Sequence, residues 1–342
     1  MSEGEKSREP RLDRSNAGGP RPAILGPQPL TPGQRAWLRF RQNRCAVISG
    51  IFLLVLIPLA LFWPSFQQPG VAPRLPRAMT WPPTVLSDDQ FEGPGRVHWC
   101  GTDVHGRDLL SRIVYGARIS MLVSVVGAAV SLGIGTVWGA LAGYVGGKTD
   151  SILMRIVDIL YSLPNIVFVI VLVATVEQPL QARLEQYGLG VSARILLIVV
   201  GLGAISWLTM ARIVRGQVLS LRSRPFIDAS RALGASHIHL LFRHILPNVS
   251  GVIIVYLTLM VPSIILYESF LSYLGLGIRP PQASLGSLMA EAADQINPIR
   301  IYWWMVAFPG ALLVTMLLAL NFLGDGLRDA FDPRGTARGE AE

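Results

Sequence analysis

Six long apolar runs alternate with polar segments along the chain. Each is about 17 to 26 residues long, enough at ~1.5 Å rise per residue to cross an apolar core of ~30 Å as a helix. The runs cover residues 45–66, 119–144, 152–176, 195–211, 249–274 and 302–323. This pattern predicts an all-α polytopic membrane protein whose six transmembrane helices leave both termini on the same side.

The composition also indicates a membrane protein, and the distribution of basic residues predicts which side of the membrane holds the termini. The 342 residues are 51% hydrophobic and 15% charged, against about 25% charged in soluble domains. The net charge of +8 would suggest nucleic acid in a soluble protein, but here basic loops beside anionic membrane lipid explain it. Twenty of the 30 Lys and Arg residues fall on the side of the termini, which predicts cytoplasmic termini and no nucleic-acid partner.

The segments outside the spans predict further organisation. Residues 1–31 are rich in Pro, Gly, Ser and charge and are expected to form a disordered cytoplasmic tail. Residues 32–66 combine a short amphipathic segment with the first span, which Pro58 and Pro64 break late. Residues 67–118 read as an irregular extracytoplasmic loop. Residues 119–324 form the membrane core, with a cytoplasmic loop at 215–248, and residues 325–342 form a second cytoplasmic tail.

Glycines recur every four residues in the second span, at Gly135, Gly139 and Gly143. Small residues at this spacing let two helices approach closely. The pattern favours packing within this chain over a contact between subunits, although both fit the spacing.

No segment has the pattern of a nucleotide, metal or catalytic site. The end of a phosphate-binding loop is suggested by Gly147-Lys148-Thr149, but Ala142 stands where the loop needs glycine, and an apolar helix precedes it instead of a strand. A partner would therefore hold any ATP. His237, His239 and His244 lack a Cys or carboxylate to complete a ligand set, so we expect no metal and no bound cofactor.

Three ionisable residues lie in or at the ends of the apolar runs: Asp158, Glu268 and Asp325. Such residues are costly in a membrane and suggest function. Arg155, three residues before Asp158, is the expected partner of that carboxylate. Glu268 has no base within one turn, so it either lines a solute path or serves packing or gating.

The basic stretch between the fourth and fifth spans contains proline and glycine residues that can begin and end a helix. Pro225 can open a helix, Asp228 then lies in its first turn, and Gly234 can end it. Pro247 precedes the next span. These residues predict a short surface helix that docks into a groove of another protein, with a generic basic loop as the alternative.

This stretch resembles the EAA loop of ATP-binding-cassette importer permeases, whose pattern is E-A-A-x3-G-x9-I-x-L-P. The matching residues are Asp228-Ala229-Ser230, Gly234 and Pro247. The chain departs from the pattern with Asp228 for Glu, Ser230 for the second Ala, and His244 for Ile. The resemblance implies that these residues couple the chain to an ATPase.

Further motifs resemble the second permease subunit of oligopeptide and dipeptide importers, over residues 32–334. They begin at Gly101 (GTDVHGRD), Ala211 (ARIVRG), Tyr267 (YESFLSYLGLG) and Asn321 (NFLGDGLRDAFDP). The resemblance implies a type I importer fold in the cell inner membrane and a homologous permease partner. It also implies two ATPase subunits that hold ATP and Mg, and a solute-binding protein docking near residues 277–300.

The resemblance also leaves the solute open. Related importers move nickel, glutathione or peptide antibiotics instead of oligopeptides or dipeptides. A self-sufficient secondary transporter, which belongs to a different class, would need more ionisable residues inside the spans.

Overall fold

A computed structural model describes residues 32–66, 81–188, 193–296 and 299–331. The predicted tail at 1–31, part of the predicted outer loop at 67–80 and the end of the predicted tail at 332–342 lie outside the described residues.

The described residues are almost entirely helical, and six helices are long and apolar enough to cross a membrane, which confirms the predicted class. The helices are α1 Pro32–Gln42, α2 Arg44–Phe66, α3 Leu109–Val145, α4 Gly147–Tyr161, α5 Asn165–Gln186, α6 Ala193–Arg222, α7 Pro225–Ala232, α8 His237–His239, α9 Leu246–Tyr273, α10 Leu285–Asp294 and α11 Trp303–Phe331.

The second spanning helix, α3, begins ten residues before its predicted start. Asp108 caps it, because its carboxylate accepts a hydrogen bond from the Ser111 backbone N–H at 2.8 Å. The predicted outer loop therefore ends at residue 108 rather than 118. The capping acid Asp108 is a local signal for this start, and the count of apolar residues did not use it.

The third predicted span was wrong as a single helix. It consists of α4 and α5, which are separated at residues 162–164. Pro164 lacks a backbone N–H and restricts the residue before it, so the helix breaks there. Helix α4 packs beside Trp207 and Ala211 of α6, and α5 packs beside Gly201. The two helices thus cover successive levels of α6, and the second extends to Gln186.

Two other helices extend beyond the ends of their apolar runs. Helix α6 continues to Arg222 and α11 continues to Phe331, so both remain helical past the predicted starts of the cytoplasmic loop at 215 and of the tail at 325. Arg212 and Arg215 consequently lie on a helix instead of a loop. Polar last turns are stable here because they follow a long helix that is already formed.

The fifth spanning helix begins earlier than predicted, at His237 rather than Val249. A wide π turn over Leu240–Ile245 joins α8 to α9. Pro247 therefore lies inside the first turn of α9 and does not precede the span. Proline has no N–H to donate at this position, and the π turn absorbs the altered hydrogen bonding.

The three spaced glycines build the core contact between α3 and α6. A Cβ at Gly139 would lie 2.3 Å from the Ala211 carbonyl oxygen, and one at Gly143 would lie 2.8 Å from that of Arg215. The sequence-predicted packing within the chain is confirmed. Because residue numbers rise together along both helices, α3 and α6 run parallel.

The bundle has two distinct ends. The end where α3, α6 and α11 finish and where α2 and α9 begin carries Arg215, Arg222, Arg224 and Arg231, and we call it the basic end. The other, called the opposite end, carries residues 81–108 and α10. Helix α2 reaches the opposite end as one helix through Pro58 and Pro64, contrary to the predicted break.

Candidate functional site

The predicted surface helix forms at the basic end as α7. Pro225 occupies its first turn, and the preceding Arg224 is extended (ψ 142°), as a residue before proline prefers. Asp228 lies in the first turn, is exposed, and accepts a hydrogen bond from Arg231 at 3.2 Å. Ile227 alone of the helix is buried. Helix α7 is thus anchored by one side chain and presents its other faces outward.

Gly234 ends this helix as the sequence predicts. Its φ of +85° is a left-handed conformation that glycine adopts at little cost. The Gly234 N–H donates to the Arg231 carbonyl at 3.0 Å, and the Ala235 N–H donates to the Ser230 carbonyl at 3.1 Å, the paired bonds of a Schellman cap. Among the residues that the structure describes, no atom lies within 4 Å of the position that a Gly234 Cβ would take.

The cap borders an open depression of about 530 Å³. Its lining includes Ser230, Leu233, Gly234 and His244, so the residue that departs from the EAA pattern faces the same depression as the cap. Leu233 is 90% exposed, so it presents a large apolar side chain at this depression. Of the predicted coupling residues, Pro247 alone lies outside α7 and its cap.

Two ion pairs tie α4 to α6 near the basic end. Asp158 pairs with Arg212 at 2.8 Å and not with the predicted Arg155, because the fold brings Arg212 beside it. Asp150 binds the Arg215 guanidinium through both carboxylate oxygens, one at 2.6 Å. The hydrogen bond from Arg215 lowers the pKa of Asp150 below its usual value. Sequence spacing alone offers no signal for either pairing.

A cavity of about 270 Å³ opens between α4, α5, α6 and α9 at the break before Pro164. Non-helical backbone is tolerated at membrane depth where it lines such a cavity. The polar groups around it are hydroxyls and one amide, with no charged side chain among the lining residues. They belong to Tyr161, Asn165, Ser206, Thr209, Tyr256, Ser263 and Tyr267.

The sequence analysis missed this cavity, although α9 carried a signal for it. Tyr256, Met260, Ser263 and Tyr267 are spaced as one helical face, and all four line the cavity. Glu268, the residue that the sequence suggested for the solute path, is fully buried instead. Its polar neighbour Tyr267 faces the cavity.

Glu268 joins three helices at the opposite end. Its carboxylate accepts hydrogen bonds from Ser272 at 2.7 Å and Ser120 at 3.2 Å. Ser120 in turn accepts from the Leu285 N–H at the start of α10. A fully enclosed carboxylate with these partners favours the packing role over the lining of a solute path.

A buried ion network at the opposite end uses the motif that starts at Gly101. Arg112 donates to Glu291 of α10 at 2.6 and 2.9 Å and also binds Asp103. Asp103 accepts from Arg107 at 2.7 Å. The network fastens α10 to the start of α3, and the sequence analysis predicted neither the network nor α10.

Comparison with known proteins identifies the family of this fold. Residues 135–336 match the family model of binding-protein-dependent transport system inner membrane components. The chain belongs to this family. Residues 31–80 also match the N-terminal transmembrane domain of oligopeptide transport permease C. With its six spanning helices, the chain is a multi-pass protein of the inner membrane.

Curated relatives match nearly the whole chain. The oligopeptide transport system permease protein OppC of Escherichia coli K12 is 44% identical, over 88% of this chain and 91% of its own. The protein of that name from Haemophilus influenzae is 42% identical over 88% of both chains. The dipeptide transport system permease protein DppC of Bacillus subtilis is 38% identical over 89% of this chain and 87% of its own.

Among solved structures, an inward-facing chain of the MetNI methionine ABC transporter is similar to this one. The TM-score is 0.49 and the identity 20%, over 65% of this chain and 97% of that chain.

Proposed function

We propose that the chain is a permease subunit of an ATP-driven importer of oligopeptides or dipeptides. The relatives named for oligopeptide and dipeptide transport match it over almost its whole length, which supports this solute class. The observation that carries the coupling role is α7, an outward-facing capped helix beside an open depression. Neither nickel, glutathione nor antibiotic import has a comparable observation in its favour.

The proposed partners follow from the two ends. With the termini and the basic end in the cytoplasm, two ATPase subunits bind the ATP and Mg on that side, and one of them docks at α7. This chain neither binds nor hydrolyses nucleotide. A homologous permease completes the pathway. A solute-binding protein on the outside delivers the peptide near residues 277–300. The two-to-one excess of basic residues on the inner side supports this orientation.

The contacts of Ile227 support a route by which motion at α7 would reach the pathway. This side chain lies in a buried cluster with Val218 of α6, Ile245 of the π turn and Val249 of α9. Helices α6 and α9 are also two walls of the polar cavity. Closure of the ATPases therefore moves α7, and two rigid helices carry that motion about 20 Å to the cavity.

The chemistry of the cavity suits peptides of varied sequence. Hydroxyl and amide groups can exchange hydrogen bonds with the amides and carbonyls that all peptides share. The absence of charge among the lining residues avoids selecting for or against charged peptide side chains. We propose that this cavity is this subunit's share of the solute path, and that Glu268 supports it from the packing behind.

The Gly234→Leu variant tests the coupling. Its Cβ would have no atom of the described residues within 4 Å, so insertion should survive, while a docked ATPase would be displaced. Gly188→Leu is the matched control, since Gly188 also has positive φ (68°) and open surroundings, but in the loop after α5.

The assay is peptide-stimulated ATP hydrolysis and peptide uptake by the complete complex in proteoliposomes. We expect Gly234→Leu to lose ATPase association or both activities, and Gly188→Leu to keep them. Normal peptide uptake by Gly234→Leu would refute the coupling assignment. Uptake of nickel or glutathione but not of peptides by the wild-type complex would refute the solute class.

A further inference from the structure

In the described part of the outer loop, one threonine holds the backbone of two acidic residues through hydrogen bonds. Thr102 donates its hydroxyl to the Asp89 carbonyl, and the Glu92 N–H donates to that hydroxyl at 2.8 Å. The Thr102 N–H also donates to the Glu92 carbonyl at 2.9 Å. The backbone of both acids is thus fixed, while both side chains are exposed.

His98 lies beneath these acids with one ring nitrogen unused. The residue is 1% exposed, and its Nδ1 lies 2.9 Å from the Asp108 carboxylate. A carboxylate only accepts, so Nδ1 carries the proton, and in the neutral ring Nε2 then offers a lone pair. Nε2 is buried and has no hydrogen-bond partner among the described residues. The Asp89 carboxylate is 4.0 Å away from it.

The three groups converge on one point. A carboxylate oxygen of Asp89, one of Glu92 and a ring nitrogen of His98 all lie within 4.8 Å of one another. Ligands bound at about 2.0–2.2 Å to a tetrahedral ion are about 3.4 Å apart. The remaining contraction of up to about 1.4 Å is supplied by rotation of the exposed carboxylates, since the buried imidazole already faces Asp89.

We propose that Asp89, Glu92 and His98 bind a divalent transition-metal cation, with Zn²⁺ as the expected ion. One imidazole nitrogen and two carboxylate oxygens suit Zn²⁺ and leave a fourth position for water. Mg²⁺ and Ca²⁺ prefer six or more oxygen ligands, which this set does not supply. From sequence alone we expected no metal, because no Cys or carboxylate completes a ligand set with His237, His239 and His244.

Asp108 is the positioning residue of this site. A carboxylate that accepts from the distal ring N–H of a metal-bound histidine fixes its tautomer and raises its basicity. The same carboxylate caps α3 through Ser111. The ion therefore joins the loop at 89–92 to the start of a spanning helix.

The test is Zn²⁺ binding to the full-length chain, purified in detergent with a tag that lacks histidine. Competition with a chromophoric chelator gives affinity, and mass spectrometry after dialysis gives the metal content. We expect Asp89→Asn/Glu92→Gln to lose one Zn²⁺ per chain or to bind it about 100-fold more weakly. Asp108→Asn should weaken binding about 10-fold.

Asp88→Asn is the matched control, because Asp88 is an exposed neighbouring acid outside the set. It should bind like the wild type. His237, His239 and His244 at the basic end contribute equally to every variant and cancel in the comparison. Substituted Co²⁺ should show visible absorption in the wild type that the double variant loses.

Equal Zn²⁺ content and affinity in the double variant and in Asp88→Asn would overturn the proposal. So would a wild type that binds no Zn²⁺ at 100 µM, the result expected if His98 is instead an imidazolium held between Asp108 and Asp89. Displacement of Zn²⁺ by equimolar Ca²⁺ or Mg²⁺ would overturn the assignment of the metal class.

Discussion

Replacing Gly139 by alanine tests the contact that holds α3 to α6. The added Cβ would lie 2.3 Å from the Ala211 carbonyl oxygen and 3.0 Å from both the Arg215 backbone nitrogen and Val214 Cβ. Ordinary contacts begin at 3.4 Å, so the helices must separate by about 1 Å. Two of the three obstacles are backbone atoms, which no change of rotamer can remove.

The expected magnitude follows from a matched variant in the same helix. Forcing a methyl group into a packed core costs about 1–3 kcal/mol. Alanine is also about 1 kcal/mol better than glycine within a helix, and this gain is common to every such variant. Gly133 has nothing within 4 Å of its Cβ position. The free-energy difference between Gly139→Ala and Gly133→Ala should therefore equal the overpacking cost of about 1–3 kcal/mol.

Thermal unfolding of the full-length protein in detergent measures this difference. We expect the melting temperature to rank Gly139→Ala below wild type and wild type at or below Gly133→Ala. If Gly139→Ala is as stable as Gly133→Ala, the close contact between the parallel helices is absent, and the argument for a rigid path from α7 fails with it.

Two further predictions concern Asp150 and Glu268. Because Arg215 lowers the pKa of Asp150, this pair stabilises the fold above the carboxyl's ordinary pKa, and the stabilisation is lost as the pH falls through the lowered value. The wild type should therefore melt above Asp150→Asn at pH 7, with the gap closing below about pH 4; a gap independent of pH would contradict the pairing. Glu268→Ala should destabilise by about 1–3 kcal/mol for each serine hydroxyl left unsatisfied in the core, while Glu268→Gln, which keeps an acceptor, should cost less and retain uptake. Loss of uptake in a stable Glu268→Gln protein would restore the solute-path role.

Much of the fold was predictable because its signals are local. Span number follows from runs of apolar residues, and the bounds of α7 follow from Pro225 and Gly234, whose φ preferences belong to the residues themselves. Helix ends were less predictable. Polar last turns such as the one reaching Arg222 persist because the helix before them is already nucleated and packed.

The site residues likewise fall into two groups, those placed by local sequence and those placed by tertiary packing. The predicted coupling residues from Asp228 to Gly234 lie in one short segment, so sequence alone brought them together. The cavity, the partner of Asp158 and the enclosure of Glu268 depend on which helix lies beside which, and residues 54 to 148 positions apart meet there. Spacing within one segment carries no information about such pairings, because they depend on the packing of several helices at once. Tertiary structure alone also brought His98 beneath two acids that a single threonine holds in place.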